Sequence, residues 1–193
     1  MTSASDSADT RAKLLDAAEE LLATVTYGRL RTEDVCAAAG ADPTAVQEHF
    51  GSKDGLVAAL LLDRFEPASD HMLESLGGES ATIADIVDAV LDPLITMQAS
   101  PKSAPVVHVL AQFVLSNPDT PWSSEWFRLD VWTKLLTSKV AGLEPDVARR
   151  RWRFTFTVIM TELTAPQEIS PDNVAALRDF LIAGLAGLPK GIQ

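Results

Sequence analysis

The residues with the clearest chemistry form a short polar row. Thr44, Gln47 and His49 stand close together, with Arg29 and Arg31 a little upstream. A glutamine amide carries a donor and an acceptor side by side and can pair bidentately with an adenine edge, while threonine offers a methyl to thymine or a hydroxyl to a phosphate. Arginines in a connection before a helix can meet a phosphate, or stand as ordinary solvated surface residues. Catalytic chemistry is missing by pattern: there is no nucleotide-binding glycine loop, no H-E-x-x-H, no G-x-S-x-G and no cysteine or histidine cluster. The single cysteine, Cys36, excludes an intramolecular disulfide framework and a multi-cysteine zinc site, and reads as a small buried residue. No enzyme activity, cofactor or metal is expected.

A second group of residues suits binding of another kind. His108 stands alone in the apolar run VVHVLAQFVL, either as a core histidine satisfied by one hydrogen bond or as a polar contact inside a mostly apolar pocket. Met97, Gln112, Phe113, Trp126 and Trp132 are the candidates to line such a pocket with it, or simply to be core. With few convergent charges among them, the expected ligand is small and apolar or aromatic.

The polar row needs a scaffold, and the stretch LRTEDVCAAAGADPTAVQEHFGSK from Leu30 to Lys53 supplies one. Thr32 is the expected N-cap of a helix running through VCAAA to Ala39. Gly40 is the residue that lets it stop in the left-handed region. Asp42 and Pro43 then restart the chain, because Asp accepts orphan amides and Pro is pre-set for a first helical position, so a second helix is expected from Pro43 to about Phe50. Two short helices joined by a glycine-containing turn make a helix-turn-helix, whose second helix can lie in a DNA major groove.

The apolar helix LLDAAEELLA, the T-x-x-V-x-x-x-A-G from Thr32 to Gly40, and the H-F-x-x-K of His49, Phe50 and Lys53 followed by Leu56 together resemble the N-terminal domain of the TetR family of bacterial transcriptional repressors. The resemblance covers about a quarter of the chain. It implies an all-α fold of about nine helices, with a three-helix DNA-binding domain followed by a helical domain for ligand binding and dimerisation. It further implies that Thr32 and Lys53 touch phosphates at the two ends of the motif, that the positions from Pro43 to Gln47 face base edges, and that Arg31 assists. The expected partners are therefore a double-stranded DNA operator, a second copy of the chain and a small effector, and the expected function is a ligand-responsive repressor released from a palindromic operator. The sequence departs from the family where Gln47 replaces a usual aromatic residue, Glu48 adds a charge, and Glu33 and Asp34 begin the second helix. A ligand-binding protein with weak or lost DNA binding is thus the alternative, beside a helical carrier or enzyme.

Charge sharpens that alternative. The chain of 193 residues carries a net charge of −11, and residues 1–54 hold ten acids against five bases. Phosphate binding must come from a local patch. With 47% hydrophobic residues but no run approaching the roughly 20 needed to cross a bilayer, and a polar, acidic N-terminus, a cytoplasmic protein with no membrane partner is expected.

In chain order, residues 1–8 read as a disordered tail, 9–54 as the DNA-binding domain and 55–193 as the ligand and dimerisation domain. A first helix is expected from about Thr10 to Thr26, then after the motif a long helix from Lys53 toward Leu76, capped by Ser52 and ended by Gly77 and Gly78. Further helices are expected at about 80–99, kinked at Pro93, at 104–116, and from Pro121 to about Ala141. Pro145 and Ser170-Pro171 open the last two. In these, Trp152, Phe156, Ile159 and Leu163 form one stripe, Phe154 and Val158 lie on another face, and Leu177, Leu181, Gly184 and Leu188 are the matching positions of the final helix. A four-helix bundle made by two copies of this pair is the expected dimer interface.

Overall fold

The computed structural model describes residues 4–78, 80–164 and 169–187. Among these, nine α-helices and two short 3-10 turns account for the regular structure, and there is no strand. The helices are α1 (Ala4–Leu22), α2 (Thr32–Ala38), α3 (Ala45–Phe50), α4 (Lys53–Leu76), α5 (Ile83–Gln98), α6 (Ala104–Ser116), α7 (Leu129–Lys139), α8 (Pro145–Leu163) and α9 (Pro171–Ala186). The 3-10 turns are Tyr27–Arg29 and Glu125–Phe127.

One contiguous apolar cluster runs from Leu14 to Leu185. At the N-terminal end α1, α2, α3 and the start of α4 bury Leu14, Leu15, Ala18, Val35, Cys36, Ala45, Val46, Leu56 and Val57. α4 also packs on α5 and α6, so it ties this head to the remaining helices. Arg64 on α4 bonds Asp16 and Glu19 of α1, at 3.0 and 2.6 Å. At the far end Arg178 of α9 bridges to Asp88 and Asp92 of α5.

Several boundaries differ from the expectations. α1 starts at Ala4, well before Thr10: the Thr10 hydroxyl donates to the Asp6 carbonyl and Asp9 pairs with Lys13 one turn on, so local bonds extend the helix into the polar segment. Residues 1–3 lie outside the described residues. Thr32 is the first helical residue of α2, and its N-cap is Arg31, in extended conformation and with no side-chain cap bond. Pro43 does not open α3. Asp42 instead accepts the Thr44 amide at 2.9 Å, closing a tight turn, and the helix begins at Ala45. The largest change concerns residues 121–128, expected as helix. Trp122 and the 3-10 turn fold as an aromatic knot, with Trp122 stacked on Phe127 at 4.4 Å, and α7 begins only at Leu129. Here the rings' burial overrides helix propensity. Pro93 sits inside α5, which runs unbroken from Ile83 to Gln98.

Other signals act as expected. Ser52 accepts the Gly55 amide at 3.0 Å, Ser170 accepts that of Asn173, and Gly77 ends α4. A capping box that sequence reading missed opens α5: Thr82 and Asp85 each satisfy the other's backbone amide, at 3.2 and 2.7 Å. Thr82→Ala should lower stability by about 1 kcal/mol in urea unfolding. An unchanged midpoint would show the box to be idle.

Candidate nucleic-acid interface

α2 and α3 present one packed side and one open side. Val35, Cys36, Ala45 and Val46 are buried, whereas Arg31, Glu33, Asp34, Asp42, Thr44, Gln47 and Glu48 are exposed. Two glycines make the arrangement possible. Gly40, at φ 62°, turns the chain out of α2, and the Ala41 amide then closes on the Cys36 carbonyl at 2.9 Å. Gly55 lets α4 pass against the end of α3, since a Cβ there would stand 2.1 Å from the Phe50 carbonyl oxygen. Cys36 is used structurally, its thiol 3.6 Å from the Pro43 carbonyl.

The six expected DNA-contacting residues fall into two groups. Arg31, Thr44 and Gln47 lie on the open side; Thr32, His49 and Lys53 are half-buried. Arg31 pairs with Glu33 at 3.6 Å. The Thr44 hydroxyl stands 2.7 Å from both the Asp42 and the Glu48 carboxylates, and its one hydrogen can serve only one at a time. The Thr44 amide, and then its hydroxyl, hold the Asp42 carboxyl below the usual carboxylate range. His49 lies beside Phe50, over which Arg11 places its guanidinium at 5.3 Å. Lys53 projects over the Tyr27 ring at 4.6 Å and donates to the Tyr27 carbonyl at 3.3 Å, so its ammonium stands at the N-terminus of α4.

Sequence reading missed Tyr27. Its backbone amide donates to Gln112 Oε1 at 3.1 Å, its ring meets Phe113 edge-on at 5.3 Å, and its hydroxyl donates to Asp54 and accepts from Asn117 at 3.1 Å. Burial and then the Asp54 carboxylate push the phenol above its ordinary pKa, which keeps it protonated as the donor. These contacts tie the head to α6. A cleft of about 610 Å³ opens beside them, lined by Ser52, Asp54, Ala58, Phe113, Asn117 and Asp119 among others.

The expected pocket residues do not converge as a group. Phe113, Trp126 and Trp132 join a continuous aromatic chain: Phe113 on Trp122, Trp122 on Phe127, Phe127 on Trp126, Trp126 on Trp132. The Trp132 indole donates to the Trp126 carbonyl at 2.6 Å. Gln112 serves the head junction. Met97 and His108 are half-buried and line neither this cleft nor a second one of about 390 Å³ near Thr82 and Lys139. The stripe expected to form a dimer interface also faces inward. Trp152, Ile159 and Leu163 of α8 and Leu181 of α9 are at most 1% exposed within a single chain, because α8 packs on α6, α7 and α9, and α9 packs on α5 and α8. Phe156 and Leu177 are half-buried, Gly184 is exposed, and Leu188 lies outside the described residues. The outward residues are Phe154 and Phe180, 70% and 63% exposed.

Residues 14–60 match the model of the bacterial regulatory proteins of the tetR family. Over that stretch, about a quarter of its length, the chain is similar to the family's N-terminal domain. Its fold is shared by this family's solved members over nearly the whole length. NalD, the secondary repressor of the MexAB-OprM multidrug efflux pump in Pseudomonas aeruginosa, is 20% identical, with 93% of this chain and 98% of that one aligned at a TM-score of 0.66. A TetR-family regulator from Streptomyces coelicolor is 22% identical over 91% and 97% of the two chains, with a TM-score of 0.59. FadR from Bacillus subtilis, solved with stearoyl-CoA, is 18% identical over 94% and 99%, with a TM-score of 0.54. No curated protein matches the sequence. The chain carries a helix-turn-helix head on α1–α4 and a helical body, and among the described residues no helix is long and apolar enough to cross a membrane.

Proposed function

We propose that the protein is a dimeric repressor that holds a near-palindromic operator and releases it when a small, largely apolar molecule enters the body. The observation that carries this reading is the Tyr27 junction: a head fixed to α6 through backbone, ring and hydroxyl contacts can be reoriented by changes in the body. The effector's class is supported by the aromatic chain from Phe113 to Trp132, and by the Trp152 indole N–H, buried with no acceptor among the described residues. Such an orphan donor favours an apolar guest that also brings one acceptor.

On DNA, Lys53 and Thr32 contact phosphates while Gln47 and Thr44 face bases, with half-site centres one or more helical turns of roughly 34–36 Å apart. Gel shifts against the duplex upstream of the protein's own gene test the reading, and affinity should fall steeply with salt because the head is net acidic. Lys53→Ala should weaken binding to every sequence alike and reduce the salt slope by about one, whereas Gln47→Ala should cost specificity. A footprint with no protected palindrome at low salt would favour the alternative, a TetR-like ligand-binding protein that has lost its operator.

A further inference from the structure

We infer that Glu48 is a specificity-determining residue that selects cytosine in the operator, and that the acidic face of α3 raises discrimination at the expense of affinity. The inference rests on the DNA-binding reading of the head. α3 buries Ala45 and Val46 and half-buries His49 and Phe50, so the side chains it offers outward are Gln47 and Glu48, with Thr44 at its N-cap. Of these, Glu48 alone is charged. Its Oε1 lies 2.7 Å from the Thr44 hydroxyl one turn earlier, which restrains the carboxylate along the open side of the helix.

The chemistry of that group narrows what it can face. An ionised carboxylate only accepts hydrogen bonds. Major-groove edges of guanine and thymine offer it acceptors, O6 with N7 and O4, which repel it; adenine offers a donor beside the N7 acceptor; cytosine offers the N4 amino donor without an adjacent acceptor. Cytosine is therefore the base that Glu48 pairs with and the others are penalised. The neighbouring Gln47 has the complementary preference, because its amide matches adenine's donor and acceptor together. The phosphates repel Glu48 at every site, so binding to unrelated DNA is weakened most, and specificity is gained by rejecting wrong sequences.

The test is selection from a randomised duplex pool with the full-length protein, comparing wild type, Glu48→Gln and Glu48→Ala, followed by competition titrations on the enriched duplex and its single-base variants. Wild type should enrich a palindrome with one cytosine per half-site, favoured roughly tenfold or more over other bases. Glu48→Gln should shift that one position toward adenine, and Glu48→Ala should flatten it, with the remaining consensus unchanged and binding to unrelated duplex tighter in both. A palindrome whose base preferences are the same in all three proteins overturns the role of Glu48 while leaving the DNA-binding reading intact. If wild type enriches no palindrome, both fall.

Discussion

Gly184→Glu should prevent two copies of the chain from pairing without loosening the monomer. On α8 the outward residues Arg153, Phe154, Thr157 and Thr161 follow helical spacing, and on α9 Ala176, Phe180, Ala183 and Gly184 do the same. Arg151 donates to the Leu185 carbonyl at 2.8 Å, so the two helices run antiparallel and bring Phe154 and Phe180 to nearby levels. A surface holding two phenylalanines beside small residues suits close packing by a second copy about a two-fold axis. A Cβ built on Gly184 meets nothing within 4 Å in its own chain, and glutamate is the better helix former, so the variant monomer should unfold no more easily than wild type. An unpaired carboxylate buried at the interface costs a few kcal/mol, roughly a hundredfold in dissociation constant. Sedimentation equilibrium of both proteins measures it. Equal dissociation constants, or a monomeric wild type, would remove α8 and α9 as the interface.

The motif and the helix count were legible because they are written in local signals. Gly40 and Pro145 punctuate the chain through backbone conformation and Ser52 and Ser170 through bonds made within a few residues, and those were read correctly. What failed to show was set by distant partners. Trp122 to Phe127 have the composition of a helix, yet they are folded against Phe113 and against Phe65, which lies far away in sequence. The stripe through Trp152 and Ile159 was visible as apolar, but periodicity cannot say whether an apolar face meets the same chain or a second copy. α8 is wrapped by α6, α7 and α9, and only that count of neighbours turns its best stripe inward. For the proposed DNA contacts, the exposed positions Arg31, Thr44 and Gln47 could be chosen by residue type, while the anchoring of Lys53 on Tyr27 could not. Tyr27 is the one tyrosine in the chain and sits in a short turn; no spacing marks it, and its importance appears only when α6 arrives beside it.

Tyr27→Ala should selectively destroy binding to a full palindrome. Two heads on one dimer add their energies only if both are held at the half-site spacing, because the second contact is then made at a high effective concentration. Tyr27 supplies that rigidity from the head's side, through its ring on Phe113 and its hydroxyl between Asp54 and Asn117. Without the side chain, the head remains attached by α4 but loses its fixed angle to α6, and the loss should be about tenfold or more on the palindrome, with little change on an isolated half-site. Removing a buried aromatic ring also costs stability, commonly about 3–5 kcal/mol for the larger rings. Asn117→Ala provides the gentler variant: it deletes only the amide that donates to the tyrosine hydroxyl and to the Phe113 carbonyl, and should give a smaller loss of the same kind. Titrations of both variants against full and half sites, with circular dichroism to confirm helicity, separate the outcomes. If full-site and half-site affinities fall in equal proportion, Tyr27 supports the inside of the head and does not hold it at an angle to the body.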